Sequence, residues 1–140
     1  MTFPRTRHIQ VAGKGRRLKA SVLRTALERH ASLHRSLLRY LHSFLDQAAM
    51  TALANGRSTI EERLARWLLL ADDRIDQHEL PLTHEFLSIM LGVTRPGVTV
   101  AVQLLERDGK ITRTRGTIVI RDRKALEKLA GATYIPPVYN

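Results

Sequence analysis

The chain has 140 residues, 44% of them hydrophobic but only 5% aromatic, with a formal net charge of +10 and no cysteine. Without cysteine, disulfides, thiolate zinc sites and cysteine-held iron–sulfur clusters are excluded. So large an excess of lysine and arginine in a short chain points to an anionic partner, and no apolar run approaches the roughly 20 residues of a membrane span.

Residues 1–20 are basic and irregular: Arg5, Arg7, Lys14, Arg16, Arg17 and Lys19 occur there without an acid. Gly13 and Gly15 limit this region to a short strand around residues 9–11 and a turn. The first ten residues lack the apolar core of a secretory signal, so a soluble, cytoplasmic protein is expected.

From about residue 20 to 54 the apolar spacing is helical. Val22, Leu23, Ala26 and Leu27 share one face. A second stripe runs through Leu33, Leu37, Leu41, Phe44, Leu45, Ala48 and Thr51, and a break near residues 28–32 divides two helices. The second is expected to span about 22 residues, or roughly 33 Å. Such a stripe is longer than one small domain needs, so Leu33, Leu37, Leu41, Phe44, Leu45 and Ala48 are expected to pair with a second copy. Asn55-Gly56 is a helix-ending pair and opens an expected hinge at residues 55–57. Ser58-x-x-Glu61 then reads as a capping box for a new helix, whose inward face is Ile60, Leu64, Trp67, Leu68 and Ala71.

Residues 72–81 read as a polar loop, followed by Thr83 as the N-cap of a short helix over residues 84–90. The next segment, LGVTRPGVTVAVQLLE, sets Gly92, Pro96 and Gly97 where a helix is starting. Gly92 can take the left-handed backbone that an abrupt stop requires. Thr94 is a good N-cap, which puts Pro96 in the first turn, where a missing N–H costs little. Gly97 is expected to leave the leading end of the helix thin. Arg95, Thr99 and Gln103 recur every four residues and are expected outward. Beyond residue 109 the period becomes extended: residues 111–114 and 117–120 flank Arg115-Gly116, a hairpin signal. Asp122 can cap a last helix to about residue 130, and residues 131–140 read as a tail.

The order helix, short helix, glycine turn, longer helix, basic hairpin is that of a winged helix-turn-helix. The expected fold is therefore mainly α with a small β-wing, in which a long N-terminal dimerisation helix precedes that domain. The expected division is residues 1–30, 31–55, 56–130 and 131–140. Arginine reads guanine and glutamine reads adenine in the major groove, which makes Arg95, Thr99 and Gln103 the candidate base contacts. Thr83, Thr94, Arg113, Arg115 and Thr117 are the candidate backbone contacts.

These residues resemble a family. The run LPLTHEFLSIMLGVTRPGVTVAVQLLERDGKITRTRGTIVIRDRKALEKLA is similar to the C-terminal DNA-binding domain of the Crp/Fnr family of bacterial transcription regulators. IEERLARWLLLADDR is similar to the helix that opens that domain. The Thr83-x-Glu85, LGV-x-Arg95, Gly97-Val98-Thr99 and Arg115-Gly116 features occur in order. Upstream, residues 33–54 resemble the family's long dimer helix, and residues 8–27 the last strand and short helix of its cyclic-nucleotide-type β-roll.

The resemblance implies a homodimeric regulator of double-stranded DNA. The segment that grips a cyclic-nucleotide phosphate has no counterpart, so neither cyclic nucleotide nor any other cofactor is expected. Where the family's best-known member reads bases with Arg, Glu and a second Arg, this chain has Arg95, Pro96 and Val100, so a different target is expected. The alternative is an interaction protein forming heterodimers with a full-length relative of the same family.

An enzyme is not expected. His30, His34 and His42 lack a ligand at the right phase to complete a metal site. Asp72, Asp73 and Asp76 lack the glycine and terminal glutamate of a calcium loop. Single-stranded RNA is disfavoured by the scarcity of aromatics.

Overall fold

The structure, a computed structural model, describes residues 14–75 and 79–136. The expected strand at residues 9–11, Arg5, Arg7, Asp76 and the end of the tail lie outside the described residues. The chain divides into two compact units, Met1–Leu38 and Arg39–Asn140.

Helix α1 is Ala20–Arg29 and α2 is Ala31–Arg57, so the expected break narrows to His30 alone. At 27 residues, α2 outruns its expected 22 because Asn55-Gly56 does not end it. Gly56 keeps a negative φ, and Ser58 N–H still donates to the Ala54 carbonyl. The expected hinge at residues 55–57 is therefore the last turn of a helix. Ala54 is the one described residue of α2 that is buried, while Leu33, Leu38, Leu41, Phe44, Leu45 and Leu53 are exposed.

Helix α3, Ile60–Asp72, starts one residue later than expected. Both Ser58-x-x-Glu61 and Thr59-x-x-Glu62 satisfy the capping-box pattern, and the second forms. Glu62 N–H donates to Thr59 Oγ1, and Thr59 N–H donates to Glu62 Oε2 at 2.9 Å. Leu64, Leu68, Leu69 and Ala71 enter the core, with Ile60 and Trp67 packed at its margin. Trp67 meets Phe86 of the next helix edge-on, ring centroids 5.8 Å apart.

The expected loop at residues 72–81 contains a strand, β1 (Glu79–Leu80), that sequence alternation is too short to reveal. Then come α4 (His84–Leu91), α5 (Arg95–Arg107), β2 (Ile111–Thr114), β3 (Thr117–Ile120) and α6 (Arg123–Ala130). The sheet is antiparallel in the order β1-β3-β2, with Leu80 opposite Ile118 and Thr114 opposite Thr117. Leu80, Ile111 and Ile118 point into the core beside Leu87, Leu91, Val98, Ala101, Val102, Leu105 and Leu126.

The beginning of the expected tail is part of the domain. After α6 a 3-10 turn, Gly131–Thr133, brings Tyr134 back to α3. The Tyr134 hydroxyl donates to Asp73 Oδ2 at 2.9 Å and accepts from Arg123 at 2.6 Å. Arg123 also donates to Asp72, Asp73 and Glu127. Asp72 and Asp73, two of the three aspartates weighed as a calcium loop, thus hold an arginine. Arg66, only 4% exposed, donates to the Thr133 carbonyl and to Gln47, and Gln47 donates to the Ile135 carbonyl. These bonds tie residues 133–135 to α2 and α3.

Candidate nucleic-acid interface

The interface is built from two capped helices and a turn. Thr83 Oγ1 accepts the Phe86 N–H at 3.1 Å and starts α4. Gly92 ends that helix in the left-handed region, φ 61° and ψ 39°, a conformation costly to any residue with a Cβ. A guanidinium N–H of Arg63, from α3, donates to the Leu91 carbonyl and satisfies one of the free acceptors at this helix end. Thr94 Oγ1 accepts the Gly97 N–H and starts α5, with Pro96 in the first turn. The axes of α4 and α5 differ by 105°, within the range of a helix-turn-helix.

Gly97 has a different role from the one expected of it. A Cβ here would lie 3.3 Å from Ile60 Cδ1 and 3.3 Å from Thr94 Oγ1. The missing side chain lets the first turn of α5 approach α3; the thinness faces inward.

The expected base-reading residues separate into two groups. Val98, Ala101, Val102 and Leu105 are buried. At about 100° per residue, the direction opposite them is occupied by Pro96, Val100, Gln103 and Arg107, all exposed. Arg95 and Thr99 lie on one flank of that face. Arg95 is exposed at the first helical position, whereas Thr99 is half-buried. The Thr99 hydroxyl donates to the Arg95 carbonyl at 3.0 Å, and its oxygen lies 2.9 Å from His84 Nδ1. With the hydroxyl proton committed, Nδ1 of neutral His84 is the donor and Nε2 is left as an acceptor.

The wing meets the same flank. Glu106 Oε1 accepts the backbone N–H of Arg113 at 3.0 Å, and its carboxylate lies 3.5 Å from the Arg113 guanidinium. Burial first, then the charges of Arg113 and Arg95, hold His84 below its ordinary pKa. Thr99 therefore touches His84, the unspecified middle residue of Thr83-x-Glu85, and Arg95 and Arg113 stand near enough for their charges to act on it. Nothing local to residue 84 signals this; it needs the 105° turn. Arg115 is exposed at the hairpin tip beside Gly116, whose φ is 78°. Thr117 is half-buried opposite Thr114, and Arg121 is spanned to Thr112 across the hairpin.

Residues 62–129 match the family of the Crp-like helix-turn-helix domain. No curated protein matches the chain at the level of sequence. Among solved structures, FixK2 from Bradyrhizobium japonicum is similar at 28% identity and a TM-score of 0.72, over 82% of this chain and 60% of that one. TTHB099, a CRP-family transcriptional regulator from Thermus thermophilus, is similar at 24% identity and 0.60, over 77% and 58%. A CooA mutant from Carboxydothermus hydrogenoformans is similar at 20% and 0.65, over 78% and 54%. The chain thus corresponds to a little over half the length of each.

Proposed function

From the premise that residues 62–129 form a Crp-like helix-turn-helix domain, the DNA-binding domain of Crp/Fnr-type regulators, we propose that the chain is a sequence-specific regulator of double-stranded DNA. In this reading it acts as a homodimer. Helix α5 enters the major groove and the wing, residues 111–120, follows the backbone. The observation that carries the reading is the capped, exposed leading end of α5, with Arg95 beside a wing that bears Arg113 and Arg115.

Arg115 at the exposed tip suits phosphate, which gives affinity without sequence. The capping threonines Thr83 and Thr94 stand at helix N-termini, where free N–H groups favour anions. In this reading two copies pair through the exposed apolar residues of α2, and their α5 helices occupy successive major grooves, one turn of duplex or about 34 Å apart.

Selection of bound duplexes from random DNA tests the whole reading. The expected product is a palindromic motif whose affinity falls steeply with salt; no enrichment rejects it. The same apolar face of α2 also supports the second reading, heterodimers with a full-length relative. That reading holds instead if mixed dimers form and no duplex is enriched.

A further inference from the structure

We infer that Val100, with Pro96, is a thymine-reading edge of α5. The inference rests on the DNA-binding reading above and specifies what the groove-facing side of the helix recognises. Val100 is 53% exposed, in the middle of a helix whose inward face is fully packed. Pro96 lies one turn earlier on the same side and is also exposed. Together they make a short apolar ridge opposite the core, at the centre of the surface expected to be polar if it met only water.

The surroundings of that ridge are charged or polar: Gln103 and Arg107 continue the same face toward the C-terminus, and Arg95 lies on one flank of its start. A ridge framed in this way, on a chain of net charge +10, fits an anionic partner that offers an apolar group at its centre. Neither valine nor proline can hydrogen-bond a base edge. In the major groove the four base pairs display donors and acceptors, and the C5-methyl of thymine is the one apolar group. Val100 can therefore discriminate through that methyl alone. Gln103, three residues on, can take the N6 and N7 of adenine, so the two side chains are suited to adjacent A·T pairs.

The test uses the full chain and the duplex it selects from random DNA. Each thymine of a half-site is replaced in turn by deoxyuridine, which removes only the methyl. Wild type is expected to lose affinity about fourfold at one position, the effect of one buried methyl group. Val100→Ala is expected to bind the thymine and uracil duplexes equally, and Val100→Thr, which keeps one methyl, to retain part of the difference. Because Val100 is exposed, both variants should keep the thermal midpoint of wild type. Uracil sensitivity unchanged in Val100→Ala overturns the inference, as does its absence in wild type, and either leaves the DNA-binding reading intact. Failure to enrich any duplex overturns both.

Discussion

His84 Nδ1 lies 2.9 Å from Thr99 Oγ1, which joins the first turn of α4 to the first turns of α5 at the place where both face the wing. The contact holds the orientation of α5 from one flank, beside its core packing. It also gives that flank a titratable group whose neutral form is favoured there.

The folded-state pKa of His84 is below its ordinary value of 6.5, chiefly through desolvation and then through Arg113 and Arg95. A depressed pKa means that the folded state binds fewer protons than the unfolded chain. Its contribution is whole above the unfolded value and is lost as pH falls through the folded one. Urea unfolding is expected to show stability falling as the pH drops below about 6.5. His84→Asn, which does not titrate and keeps a donor, is expected to flatten that slope; an unchanged slope would assign it to other groups.

Tyr134 titrates in the opposite direction. Burial, then the Asp73 hydrogen bond and charge, push its pKa up from 10.0 to about 12. Its neutral form is favoured in the fold, so the contribution is present below pH 10 and lost as pH rises through about 12. In an absorbance titration of the phenolates, one tyrosine is expected to ionise late, and Tyr134→Phe to remove that phase. The same substitution should cost about 2 kcal/mol at neutral pH, because the lost hydroxyl bonds both a carboxylate and a guanidinium, and a bond to a charged group is worth roughly 1.5–3 kcal/mol.

The exposed residues of α2 predict the oligomeric state. Leu41 is 52% exposed and Leu45 64% exposed in the single chain, so replacing both by glutamate leaves the core untouched. Sedimentation is expected to show a dimer for wild type and a monomer for the double variant, with helical content retained. A monomeric wild type would remove the basis for paired half-sites.

Arg95 and Arg115 should differ in kind. Arg95→Ala is expected to cost about 1–3 kcal/mol on the selected duplex and to relax preference at one position. Arg115→Ala is expected to weaken binding to all duplexes alike and to lower the salt slope by about one. Competition assays at several salt concentrations separate the two.

Much of the local architecture was legible along the chain because its causes are local. A threonine hydroxyl caps the helix that begins just after it, and an aspartate carboxylate does the same, so Thr83, Thr94 and Asp122 mark helix starts wherever the domain goes. Gly92 marks a stop because a left-handed backbone is costly for other residues. Two helix ends depart from the local pattern for the same reason. Thr59 and Ser58 were equivalent as caps by sequence, and Gly56 could end a helix or continue one; the choice belongs to what α2 and α3 become together.

The sequence by itself determined the winged helix-turn-helix order, the basic character and the apolar stripe of α2, since periodicity, capping and charge need no partner. The tertiary structure decided which side of α5 is outward and what surrounds its flank. It turned Thr99 toward His84, set Gly97 against Ile60, tied Arg113 to Glu106, and left Pro96, Val100, Gln103 and Arg107 facing outward. It also fastened residues 133–135 to the domain through Arg66, Gln47 and Arg123. Those outcomes depend on groups far apart in the chain, brought within hydrogen-bond reach only once the 105° turn and the packing of α3 are in place.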